Sequence, residues 1–442
     1  MVPYYDLKAV KFGGSSLASA EQIIKCANII KSDRARRFII PSAPGKRFDG
    51  DEKITDLLIK CHRLAVQKND ISEIFERIAG RYREIIKGLG LALDIEDELK
   101  AVKADIEGGA TLDYAASRGE YLCGLVLSSF LGFTFVDPKG LIIFDENGVF
   151  LAKETNTLLS ARLSELDNAV VPGFYGSTES GEIKTFSRGG SDITGAIVAR
   201  AIDADLYENW TDVSGFLMCD PHIVKDPRPI KSVTYRELRE LSYMGATVLH
   251  EDSVFPVKLA GIPINIRNTN SPQDPGTMIV PSAGPSIPRD TITGIAGKKH
   301  LAVIRIEKDR MNQEIGFGAK VLSVFSDRGL SFEHLPSGID TMCVVISEDE
   351  VEGKEREVMT AITKAVNPDS IVMEKGLALV AVVGRGMINA PGTASRIFTA
   401  IAKENINIRM IDQGSSELNI IIGVDQEEFE VAVRAIYKEF FA

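Results

Sequence analysis

The run Lys11-Phe12-Gly13-Gly14-Ser15-Ser16 closes a short apolar segment and precedes a segment of helical period. Residues of these types in this order suit an anion. Two glycines let the backbone approach without obstruction from a Cβ, a helix N-terminus offers unpaired N–H groups, and Lys11 adds a point charge. The run is not a P-loop, which needs Gly-Lys-Ser/Thr after a four-residue spacer. Taken alone it reads more readily as a glycine turn with a surface lysine. A second glycine pair, Ser187-Arg188-Gly189-Gly190-Ser191-Asp192, also opens a helical segment. Arg188 can grip a carboxylate or phosphate with its two-pronged guanidinium, while Asp192 alone reads more simply as a helix N-cap. A third polar run, Asn209-Trp210-Thr211-Asp212-Val213-Ser214-Gly215, follows an apolar strand and leads into a loop punctuated by Asp220-Pro221 and Asp226-Pro227-Arg228. Ligands of open α/β sheets sit outside the carboxyl ends of the strands. Each run alone is compatible with an ordinary turn; the set is not easily explained that way.

The elements that must position these residues alternate. Strands are expected at 9–12, 38–41, 134–136, 169–172, 206–209 and 264–267, with helices at 20–31, 55–66, 72–87 and 192–201, whose apolar residues recur at spacings of three and four. Such alternation predicts an α/β domain with a mostly parallel sheet. The stretch 271–290 holds five of the eighteen prolines and reads as a linker. Beyond it the sequence repeats at an offset of 76 residues: Met311 aligns with Met387, Gly316 with Gly392, and Val344-Val345-Ile346 with Ile420-Ile421-Ile422. Each copy reads as strand, glycine-initiated helix, two strands and a helix. The second copy ends in a helix with no closing strand, and 291–296 is the nearby candidate for the missing one. The first copy is therefore expected to be inserted within the second.

At 442 residues the chain predicts several cores, and its 44% hydrophobic and 26% charged content is that of a folded protein. A net charge of -11 argues against nucleic acid or an anionic membrane as main partner. The five cysteines are scattered, never as Cys-x-x-Cys, and the five histidines lack metal spacing, so neither a disulfide framework nor a metal site is expected. With no signal-like N-terminus and no apolar stretch of about 18 residues, a cytoplasmic protein is expected.

In order along the chain, Lys11 to Ser16, Ser117-Arg118-Gly119-Glu120, Gly173-Phe174, Arg188-Gly189-Gly190-Ser191-Asp192, Thr211-Asp212-Val213 and Ile266-Arg267-Asn268-Thr269 resemble the motifs of aspartate kinases, and the C-terminal repeat resembles a pair of ACT modules. The resemblance implies a three-layer amino-acid kinase domain over 1–290 followed by two ferredoxin-like βαββαβ modules, the first at 299–374 and the second formed by 291–298 with 375–442. It implies catalytic roles for Lys11 and Asp192. It places aspartate against Ser42, Thr55, Glu120, Phe174, Thr185, Arg188 and Ser191, with Glu120 on the α-ammonium and Arg188 on the α-carboxylate. ATP would lie against Lys11, Gly13, Gly14, Ser15, Thr211, Asp212, Asp220 and Arg267. Asp220-Pro221-His222 departs from the family's usual Asp-Pro-Arg. The family binds lysine or threonine between ACT modules of two subunits, which implies a homodimer through those modules, or a tetramer built on it.

Chemistry narrows the roles. The β-carboxylate of aspartate, with a pKa of about 3.9, is already ionised at neutral pH, so no base is needed and Asp192 is expected to orient Lys11. Mg²⁺ is expected mainly on phosphate oxygens and water. Acidic groups in the turn 333–340 favour lysine over threonine as effector, against Met311, Gly316, Phe317, Glu333 and Ser337; Arg409 stands in the second copy where the first has Glu333. The rival readings are another amino-acid kinase, acting on glutamate, acetylglutamate or a nucleotide, and a non-catalytic amino-acid sensor on the same fold.

Overall fold

The computed structural model describes residues 5–187, 189–246, 255–282 and 290–441. They form two compact units. The first comprises the described residues up to 216, 229–235 and 255–282; the second comprises Leu217–Arg228, Arg236–Ala246 and 290–441. Two segments from before residue 290 thus group with the C-terminal part of the chain.

The first unit is built on a mostly parallel eight-stranded sheet, in the order Thr134–Phe135, Ala169–Val170, Arg36–Pro41, Lys8–Phe12, Leu206–Thr211, Ile264–Asn268, Thr277–Val280, Ser232–Thr234. The expectation of a linker over 271–290 is corrected at its centre, and residues 283–289 of that range lie outside the described residues. Thr277–Val280 is a strand, antiparallel to Ile264–Ile266 and parallel to Ser232–Thr234. Prolines and glycines flank it on both sides, and their breaker signal masked a four-residue strand. A separate small sheet joins Ile143–Phe144, Tyr175–Thr178 and Ile183–Thr185, strands too short to stand out by periodicity.

Alternation along the central strand decides what faces what. Val10 and Phe12 are buried in one core with Ile23, Leu58, Tyr82 and Leu122 from helices Ala20–Lys31, Ile54–Val66, Ser72–Gly88 and Leu112–Leu131. Lys11, between them, must point to the opposite face. On that face the helix Gly190–Ala201 packs against the strand.

The second unit holds a five-stranded antiparallel sheet in which Gly294–Glu307 and Ser370–Val383 run side by side along their full lengths. Leu301–Glu307 also pairs with Thr341–Ser347, while the far half of the other long strand, Leu377–Val383, pairs with Asn419–Asp425. Gly294–Lys298 pairs with Leu379–Val383, so the segment expected near 291–296 lies beside a strand of the second repeat. Register shifts near His300, at φ 61°, separate the two halves. Helices Phe317–Ser326 and Glu355–Val366 cover the first half; Thr393–Lys403 and Phe429–Phe441 belong to the second.

Candidate active site

Lys11 is the fourth residue of its strand and Asn209 the fourth of the neighbouring strand, and the two are register partners. Their side chains therefore emerge together. The Lys11 ammonium lies 2.5 Å from Asp192 Oδ1, the Asn209 amide donates to the same oxygen at 2.8 Å, and Asn209 Oδ1 accepts from Lys11 at 3.4 Å. Asp192 sits in the first turn of Gly190–Ala201, where a carboxylate also meets the positive end of the helix. Its side chain is spent on Lys11 and Asn209, which decides against a plain N-cap. The residue before the helix, Gly189, is left-handed at φ 65°, a conformation that disfavours any side chain. Asn209 was absent from the expected set. Its signal was a polar residue near the carboxyl end of a buried strand, at the same position as Lys11.

The glycine loop follows at once. Gly13 N–H donates to Trp210 O at 2.9 Å, and a 3₁₀ turn, Gly14–Leu17, stands between the glycines and the helix Ala20–Lys31. That helix is capped by the Ser19 hydroxyl, which accepts from Gln22 N–H. The loop's anion-binding capacity therefore belongs to the turn and to Lys11 rather than to the long helix.

Glu120, in Leu112–Leu131, is 5% exposed, and its Oε2 has no partner among the described residues. The other oxygen accepts from the Ser191 hydroxyl at 3.5 Å, and the nearby Ala43 backbone amide also favours the charged carboxylate. Burial outweighs these donors and pushes the carboxyl up to about 8. A buried carboxyl with a vacant oxygen is suited to an ammonium ion. Ser191 adjoins Asp192, so the carboxyl and the lysine cluster meet at one helix start.

Around them, Ser42 is buried and its N–H donates to Phe12 O at 3.1 Å; Thr55 is half-buried in the first turn of Ile54–Val66. Phe174 is held at φ 81°, with its N–H bonded to Thr194 Oγ1 at 3.0 Å, a strained backbone of the kind found at ligand clamps. Thr185 donates its hydroxyl hydrogen to Asp113 at 2.6 Å. Arg188 lies outside the described residues. On the other flank, Thr211 follows Trp210 and bonds to Asp212 at 3.1 Å. Arg267 packs its guanidinium 4.6 Å from the centre of the Trp210 ring and donates to Pro272 O at 2.5 Å and Asp274 O at 3.1 Å. Asp220 belongs to the second unit, where it accepts from the N–H of His222 at 2.8 Å.

In the second unit, Met311, Gly316 and Phe317 lie on one loop and helix start, tied to the turn at 339–340 by Arg310 N–H to Asp340 Oδ1 at 2.9 Å and Asn312 N–H to Ile339 O at 3.2 Å. Ser337 is exposed and bonds to Leu335 O at 3.2 Å. The Glu333 carboxylate is engaged by Lys298 at 2.9 Å, and Lys298 also stands 4.0 Å over the Tyr243 ring. Arg409 pairs with Asp425 and Glu374.

Among the described residues no helix is long and apolar enough to cross a membrane, and no group of three or more His, Cys, Asp or Glu is placed to hold a metal ion.

Residues 6–268 match the Amino acid kinase family and residues 380–440 an ACT domain. Aspartokinase 3 of Bacillus subtilis is 38% identical over 99% of both chains. The crystal structure of Clostridium acetobutylicum aspartate kinase superposes with a TM-score of 0.94 at 52% identity, over 98% of this chain and 100% of that one. Escherichia coli aspartokinase III, solved with aspartate and ADP, shares the fold at a TM-score of 0.75 and 23% identity. With relatives this similar over almost its entire length, the chain belongs to the aspartokinase family.

Proposed function

We propose that this chain transfers the γ-phosphoryl group of ATP to the side-chain carboxylate of L-aspartate, giving 4-phospho-L-aspartate. The observation that carries the reading is the Lys11-Asp192-Asn209 cluster at the carboxyl end of the central strands, one residue from the hydroxyl that touches buried Glu120. In this reading Lys11 neutralises charge on the transferring group while Asp192 and Asn209 hold its ammonium in place, so that little reorganisation is needed at the moment of transfer. Asp192 abstracts no proton, because the acceptor carboxylate is already ionised. Glu120 takes the α-ammonium and Arg188 the α-carboxylate; Ser42, Thr55, Phe174, Thr185 and Ser191 complete the aspartate pocket. Gly13, Gly14, Ser15, Thr211, Asp212, Asp220 and Arg267 serve the nucleotide. Mg²⁺ bound with the phosphates would supply further charge neutralisation, which suits a site with no carboxylate cage among the described residues.

The regulatory part of the reading is also a proposal. The ACT modules, 299–374 and 291–298 with 375–442, form a homodimer and take lysine in preference to threonine against Met311, Gly316, Phe317, Glu333 and Ser337. The helix start after Gly316, which offers free N–H groups, supports a carboxylate there. Lysine must compete with Lys298 for Glu333, and it inhibits only through different affinities for two states of the enzyme.

The first experiment measures ADP release with aspartate, glutamate and UMP as acceptors. Turnover with aspartate alone is expected; release with another acceptor only, or with none, would replace the reading by one of its rivals.

A further inference from the structure

Two buried charges take no part in the chemistry above. Arg81, on helix Ser72–Gly88, is 5% exposed, and Asp51 is 8% exposed. Removing a full charge from water is unfavourable unless partners compensate. The compensation is specific. Arg81 Nη2 donates to both Asp51 oxygens, at 3.0 and 2.8 Å, and Arg81 Nη1 donates to the carbonyl of Gly45 at 3.1 Å. The Arg47 backbone N–H and Nε bind Asp51 as well, at 3.0 and 2.9 Å, closing the loop between residues 45 and 51.

Gly45, the residue held by Arg81, touches the phosphate loop. Its N–H donates to Gly14 O at 2.8 Å, and a Cβ on Gly45 would stand 2.7 Å from Gly14 C and 2.8 Å from Ser15 N. Here two backbones lie against each other, so neither moves alone. Two residues earlier the Ala43 backbone amide lies near the Glu120 carboxyl and favours its charged form, and a Cβ on Gly119 would come within 2.7 Å of the Ala43 Cβ. The strip 42–45 thus has the phosphate loop on one side and the ammonium-binding carboxyl on the other.

We propose that Arg81 and Asp51 are a positioning pair: by clamping Gly45 they fix the strip 42–45, which sets the phosphate loop and Glu120 together and couples nucleotide binding to aspartate binding. Neither residue touches substrate. The inference rests on the assignment of those two loops to ATP and aspartate made above. Coupling of this kind is reciprocal, so saturating Mg·ADP should tighten aspartate binding by the same factor as aspartate tightens Mg·ADP.

The test uses the full-length chain and four forms: wild type, Arg81→Lys, Arg81→Met and the double variant Asp51→Asn/Arg81→Met. Lysine keeps the charge but cannot reach both Asp51 and Gly45 with a planar fork. The double variant removes both charges and so avoids a stranded carboxylate. Kd for aspartate is measured by calorimetry with and without saturating Mg·ADP, alongside KM for both substrates and Tm. In wild type, Mg·ADP should tighten aspartate at least about fivefold. In Arg81→Lys and in the double variant that ratio should fall toward one, with KM for both substrates raised about tenfold or more, even where the double variant regains Tm. A lowered Tm with unchanged KM values and unchanged coupling in the folded variants would reduce the pair to a structural role. A wild-type ratio near one would overturn the coupling. Absence of aspartate phosphorylation by wild type would instead mark failure of the substrate assignment, a different result from active wild type with insensitive variants.

Discussion

The same local signal, a glycine opening a helix, has two physical meanings in the two halves of this protein. In the kinase unit one glycine of each pair, Gly14 and Gly190, is there because there is no room. A Cβ on Gly190 would lie 2.4 Å from Phe174 Cδ2, and one on Gly14 would lie 2.8 Å from Ala43 O. In the ACT unit Gly316 and Gly392 face open space, and only their backbone torsions, φ 81° and 88°, call for glycine. The charges differ in parallel. At the kinase site Glu120 keeps a buried oxygen without a partner among the described residues; at the candidate effector loop the Glu333 carboxylate is already paired with Lys298. Close packing with one vacancy fits a site that must hold its reactants rigidly, while open space before a helix start fits one that responds to a ligand.

The largest effect expected from breaking this contrast is on chemistry. Lys11→Ala should lower kcat by about 10²–10³-fold, the scale for loss of one electrostatic stabiliser, with Tm little changed; near-normal turnover in the folded variant would remove Lys11 from the mechanism. Next comes pH. Glu120 has its pKa raised to about 8 from 4.5, so below that value the aspartate ammonium must displace a proton. KM for aspartate should fall as pH rises from about 6 to about 8, by at most about tenfold per unit, and Glu120→Gln should flatten the profile. The stability linkage has the opposite sense: the folded state holds a proton that the unfolded chain has lost, so this group's contribution is full below about 4.5 and is lost as pH climbs to about 8. An aspartate KM independent of pH in wild type would contradict the vacant-carboxyl reading.

Smaller, and a direct test of the two glycine meanings, is a pair of alanines. Gly190→Ala should cost about 1–3 kcal/mol through overpacking against Phe174 and depress activity as well. Gly316→Ala should cost about 1 kcal/mol through its left-handed backbone alone and leave uninhibited activity intact. Urea unfolding with parallel assays separates them, and equal losses of activity would erase the distinction. The smallest basal effect belongs to Glu333→Ala, which should relieve lysine inhibition without lowering uninhibited turnover; Lys298→Ala serves as control, since it frees the same carboxylate. Inhibition by threonine alone, or unaltered lysine sensitivity in Glu333→Ala, would displace the effector assignment.

Much of the site was legible in the chain before folding. Lys11 and the two glycine pairs stand at places where torsional freedom, charge and strand ends coincide, and these are local properties; Glu120, inside a helix, and the role of Asp192 entered only through the family resemblance. The six expected strands all appear, since buried parallel strands leave continuous apolar runs. The strand Thr277–Val280 was concealed by the prolines and glycines around it.

What the sequence determined by itself is therefore the local part: which segments are apolar enough to be strands, where a backbone must turn without a side chain, and which residue types could carry charge. The tertiary structure alone decided the partnerships. Asn209 meets Lys11 because their strands are neighbours in register, Arg81 reaches Gly45 and Asp51 across two elements, and Lys298 occupies Glu333 from the adjoining region of the fold. The reason is physical: a hydrogen bond or ion pair depends on distances of a few ångströms in space, and sheet order and helix packing bring residues that close irrespective of how far apart they lie along the chain.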